Sequence, residues 1–82
     1  MAGPSRRRRV VDEILRRPDP SGRYVIVVRR TSTSWEELKK LLKGYGLEVE
    51  EAGDVVILRT RSRRIAREVA LQALKMGILD SG

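Results

Sequence analysis

Apolar residues recur along this chain in two rhythms, one of three to four residues and one of two, and the switches between them outline six elements. In Ser5–Arg17, Val10, Val11, Ile14 and Leu15 fall at helical spacing. This predicts a short amphipathic helix with an arginine-rich solvent side, stopped by Pro18 and Pro20. After a Ser21-Gly22 turn, Arg23–Arg30 contains the unbroken apolar run Tyr24–Val28, rich in β-branched residues. Apolar side chains at both alternating positions predict a strand covered on both faces. Thr31–Ser34 leads into a second helix through Lys43, in which Leu38, Leu41 and Leu42 form a stripe. Ser34 and Glu37 have capping-box spacing there, and Gly44 and Gly46 end the helix. Leu47–Glu51 alternates with period two and predicts a half-exposed strand. Ala52-Gly53-Asp54 turns the chain, and Val55–Thr60 returns as the partner strand of a hairpin. Ser62 is the expected N-cap of a last helix whose apolar face is Ile65, Ala66, Val69, Ala70, Ala73 and Leu74. Gly77 closes that helix, with Ile78 placed for the hydrophobic contact of the cap.

The fold class that follows is α+β: an N-terminal helix, then β-α-β-β-α. The expected sheet is three-stranded and antiparallel in the order 1-3-2, with two helices on one face. Residues 10–82 are expected to form one compact domain, and residues 1–9 a flexible basic arm. With Leu47 and Val49 facing the helices, the opposite face is expected to carry Glu48 and Glu50 beside an apolar set such as Tyr24, Ile26 and Val28. A patch of that size calls for a cover. The N-terminal helix is the first candidate, and a second copy of the chain, making a homodimer, is the next.

At 82 residues one domain is the natural count. Cysteine and histidine are both absent, which removes disulfides, thiolate nucleophiles, Cys/His metal sites and imidazole acid–base catalysis. No catalytic residue, metal ligand or cofactor is expected. Glu50 and Glu51 are strand neighbours that point to opposite faces, unlike a catalytic carboxylate pair. The run Tyr24–Val28 is far short of the ~20 apolar residues that span a bilayer. No hydrophobic stretch follows the first arginines, so no membrane association and a cytoplasmic location are expected. Asparagine is absent and Gln72 is the single glutamine, a composition suited to heat.

Charge changes the picture most. Lys and Arg number 18 against 11 Asp and Glu, a net +7, and the excess is segregated. Residues 1–30 hold nine basic and three acidic residues, 31–58 three and six, and 59–82 six and two. The 1-3-2 order brings the start of the first strand beside the end of the third, and so Arg23 near Arg59 and Arg61. Arg63, Arg64 and Arg67 open the last helix. A helix N-terminus already favours an anion, and guanidinium groups grip phosphate bidentately. Arg6, Arg7, Arg8 and Arg9 form a run that suits an arm along a nucleic-acid backbone and equally suits a solvated helix face. Taken singly, an arginine more often pairs with an acid on a heat-stable surface than binds a ligand.

The aromatic residues are Tyr24, Trp35 and Tyr45, too few for a stacking platform, so backbone or shape recognition is expected. Trp35 and Tyr45 suit either stacking on a single base or sealing a core edge. Gly44-Tyr45-Gly46 does not make the Gly-x-x-Gly loop of a KH module, and the RRM aromatic signatures are missing from both strong strands. Over residues 23–77 the β-α-β-β-α order resembles the small dimerising subunit of the archaeal KEOPS tRNA-modification complex. That resemblance implies a protein-interaction subunit docking to a larger complex. The charge distribution instead implies a non-enzymatic module binding RNA or DNA through phosphate contacts, with weak sequence preference.

Overall fold

The computed structural model describes residues 5–30 and 32–80, so residues 1–4 of the expected arm lie outside the described residues. The element order is α1 (Ser5–Arg16), β1 (Tyr24–Arg29), α2 (Ser32–Leu42), β2 (Glu48–Ala52), β3 (Val55–Thr60) and α3 (Arg63–Met76). The strands form one antiparallel sheet in the order β1-β3-β2, the expected α+β arrangement.

Register assigns each side chain to a face. Directly opposed residues in an antiparallel pair share a face, so Ile26, Leu58 and Val49 make one row and Val28, Val56 and Glu51 the next. Ile26, Val28, Val56 and Leu58 are fully buried, and this is the face the helices cover. Helix α3 lies on β1 and β3 and buries Ala66, Val69, Ala70 and Ala73, three of them alanines whose small side chains suit close approach. Helix α2 packs against α3 and buries Trp35 and Leu38.

Two expectations about the sheet are corrected by this arrangement. Tyr24, Ile26 and Val28 lie on the helix side, not opposite it. Every position from Tyr24 to Val28 is apolar, so period alone leaves the parity of β1 open, and only pairing with β3 fixes it. Helix α1 does not cover the other face. Val11 and Leu15 join the same core as Ile26 and Leu58, and α1 packs against α3 and β1. All three helices therefore form one layer. The remaining face, with rows Val25–Arg59–Glu48, Val27–Ile57–Glu50 and Arg29–Val55–Ala52, has no element over it among the described residues.

The ends of the elements follow local chemistry. Ser62 Oγ accepts the Ile65 N–H at 3.2 Å, as an N-cap should. Gly77 adopts φ 74°, the left-handed conformation that suits glycine, and the Ile78 N–H returns to the Ala73 carbonyl at 3.0 Å. Helix α2 begins at Ser32, so Ser34 lies inside its first turn instead of capping it. A run of hydroxyl residues offers several starts, and burial of Trp35 and Leu38 sets the frame. The Gly53-Asp54 turn between β2 and β3 uses φ 63° at Gly53, as primed hairpin turns require. Between Pro18 and β1, Asp19 accepts the Ser21 hydroxyl at 2.6 Å and the N–H groups of Ser21 and Arg23. The Ser21 hydroxyl, then the Arg23 N–H, hold its carboxyl below the usual aspartate value.

After α3 the chain runs beside β1. The Arg29 N–H donates to the Ile78 carbonyl at 2.7 Å and the Asp80 N–H to the Val27 carbonyl at 2.8 Å. Ile78 and Leu79 are buried, so this segment closes part of the outer edge of β1.

Candidate nucleic-acid interface

Tyr24 pairs with Thr60, which brings the residues flanking them, Arg23 and Arg61, to the same end of the sheet. Strand β3 delivers Arg59 and Arg61 to that end, and the turn at Thr60–Ser62 swings directly into α3. The Ser62 N–H donates to Thr60 Oγ1 at 3.1 Å, and Thr60 is buried, so the turn carrying Arg61 is anchored on both sides. Arg63, Arg64 and Arg67 follow in the first turns of α3, all exposed. Arg63 and Arg67 are four apart, as are Arg64 and Glu68, so each pair shares one stripe of the helix.

The same register brings acids where segment charge had not placed them. Glu48 is opposite Arg59 and Glu50 opposite Ile57. Arg23 Nη1 is ion-paired to Glu48 Oε1, and Arg59 Nη1 meets Glu50 Oε1 at 2.9 Å. Acids are few in the two basic segments by count, but β2, remote from Arg23 and Arg59 in sequence, is adjacent to them in the sheet and supplies both partners. With both carboxylates about half exposed, each pair contributes about 0.2–1 kcal/mol. A positive Glu-x-Glu signal was present, since alternation places Glu48 and Glu50 on one face of a strand that the hairpin sets against β3.

The arginines thereby fall into groups. Arg23 and Arg59 are held by glutamates on the open face. Arg64 Nε approaches Glu68 Oε2 at 3.6 Å, a loose and highly exposed pair. Arg61, Arg63 and Arg67 form no ion pair with another described residue. Arg67 also lines the cleft between α1 and α3 with Val11, Asp12 and Leu71. Arg6 to Arg9 lie in the first half of α1. Arg9 is exposed and shares a shallow depression with Asp12, Glu13 and Arg16, so the visible outer side of α1 is of mixed sign.

The aromatic side chains divide as well. Trp35 is 2% exposed and belongs to the core, so its stacking role is withdrawn. Tyr45 is exposed, and its hydroxyl donates to Glu68 Oε1 at 3.1 Å. That hydrogen bond raises the phenol pKa above its ordinary value. It also directs the one exposed ring of the chain's turn 43–46 toward α3, beside the Arg64–Glu68 pair. No described helix is long and apolar enough to cross a membrane. In comparisons with protein-family models, curated proteins and solved structures, nothing matches this chain.

Proposed function

We propose that this protein is a non-enzymatic nucleic-acid-binding module that holds the phosphates of RNA or DNA at the α3 end of its sheet. The observation that carries the reading is the group Arg61, Arg63 and Arg67, exposed and without an acidic partner among the described residues, around the N-terminus of a 14-residue helix. Free N–H groups of the first helical turn and the helix dipole favour an anion at that place, and three guanidinium groups supply the charge-assisted hydrogen bonds. Arg64 joins them by releasing Glu68. Arg6 to Arg9 add long-range attraction, and Arg23 and Arg59 contribute only as far as phosphate competes with Glu48 and Glu50. With no stacking surface, recognition is through the backbone and sequence preference is weak.

Salt titration of binding to single- and double-stranded oligonucleotides tests this reading. Affinity should fall steeply with salt, with a slope of about 0.9 per phosphate contacted on duplex DNA and about 0.7 on single strands. Joint replacement of Arg61, Arg63 and Arg67 by alanine should flatten that slope by about two to three on duplex DNA. An absence of binding at low salt would overturn the proposal.

A further inference from the structure

The sheet has one face with no helix on it among the described residues. At its centre Val25, Val27, Val55 and Ile57 are half-buried, on the same face as Arg59, which is directly opposite Val25. Around them stand Arg23, Arg29 and Arg59 and, along β2, Glu48 and Glu50. An apolar centre with a rim of both signs is the make-up of an interface.

Charge decides what can settle there. A polyanion meets Glu48 and Glu50 and finds no aromatic ring on the face. A second copy of this chain, itself at net +7, is repelled by most of the surface but meets a nearly balanced one here. Two other surfaces that could self-associate are less suitable. The α3 end would set arginine against arginine. Antiparallel pairing of β2 with its own copy about Glu50 would place Glu50 opposite Glu50 and Val49 opposite Glu51, like charges on an edge strand that resist pairing. The outer edge of β1 is already occupied in part by residues 78–80.

We propose that the protein is a twofold homodimer in which the open faces of two sheets pack together. Val25, Val27, Val55 and Ile57 of both copies form the middle. Glu48 and Glu50 of each copy lie at the rim, where Arg29 of the other copy can meet them. A twofold axis joins one patch to itself, so a face carrying both signs complements its own copy. Three strands about 4.8 Å apart, two of six residues and one of five, present a face of about 14 by 20 Å. Two such faces, with their rim side chains, bury on the order of 1,000 Å² in total, at the lower end for specific association. The dimer therefore dissociates on dilution.

Sedimentation velocity of the full chain without nucleic acid, from micromolar to millimolar concentration, reads the equilibrium directly. Val27→Asp should raise the dissociation constant at least about tenfold while the far-ultraviolet circular dichroism is unchanged. Because the chain has no cysteine, Ile57→Cys introduces a single thiol at the centre of the face. It is a milder change that keeps the test open if Val27→Asp fails to fold. Oxidation should convert Ile57→Cys to a covalent dimer and leave Val49→Cys, on the helix side of β2, monomeric. A monomer at every concentration, a dimer that survives Val27→Asp in folded form, or cross-linking through Val49→Cys in preference to Ile57→Cys would each overturn the proposal. A chain that stays monomeric because another protein occupies the face counts among the first of these.

Discussion

Ser62 stands between the two halves of the candidate site, with Arg61 before it and Arg63 after it, and its own work is structural. Its hydroxyl oxygen caps the Ile65 N–H while its backbone N–H is held by Thr60. Ser62→Ala removes the cap acceptor and leaves every arginine in place. The expected cost is about 1 kcal/mol of folding stability by urea denaturation, with Ser62→Gly costing only a few tenths. The salt slope of oligonucleotide binding should stay unchanged, because no phosphate contact is lost. The cap and the left-handed Gly77 were legible in the sequence, since both follow from what one residue type can do locally. Ser34 shows the limit of such reasoning. Its spacing to Glu37 was right for a cap, but the start of α2 is set by tertiary burial of Trp35 and Leu38. Trp35 itself was open between core and ligand for the same reason.

Strand β1 illustrates what pattern can and cannot determine for an element. Its existence, its extent and its antiparallel pairing with β3 followed from a β-branched run beside a hairpin. Which of its faces meets the helices did not, because Tyr24–Val28 offers apolar side chains to both. Helix α1 was equally legible as a helix and equally illegible as a neighbour: Val11 and Leu15 fit either side of the sheet, and contact with α3 decides. The segment 78–80 was foreseen only as the hydrophobic end of a helix cap. Two apolar residues are too short for a strand signal, yet they hydrogen-bond to β1 and bury themselves. Ile78, 3% exposed, serves both cap and edge. Ile78→Ala should therefore cost about 2–5 kcal/mol. Hydrogen exchange should show the loss locally, with the Arg29 amide, which donates to the Ile78 carbonyl, losing protection before the amides of β3. Uniform loss of protection across the sheet would mean that residues 78–80 do not form a separate edge.

At the scale of the whole molecule, a net charge of +7 tells less than its distribution, and the fold redistributes what the sequence segregates. The hairpin carries the acidic middle of the chain back across the basic ends. Arg23 and Arg59, which sequence position assigned to the phosphate-gripping end, spend their charge on Glu48 and Glu50. On the proposed reading those glutamates limit nucleic-acid binding, and this can be measured. Glu48→Gln with Glu50→Gln keeps the size and hydrogen-bonding capacity of both side chains and removes two negative charges. If nucleic acid lies across the Arg61–Arg67 end, Arg23 and Arg59 become available to it at the adjoining corner of the sheet. Affinity at low salt should rise, and the salt slope on duplex DNA should steepen by up to about two, one for each arginine released. Stability should fall by no more than about 1 kcal/mol for each pair, because both pairs are partly exposed. Steepening shows that the nucleic acid reaches over the end of the sheet. An unchanged slope confines it to α3 and the turn before it, and removes Arg23 and Arg59 from the site.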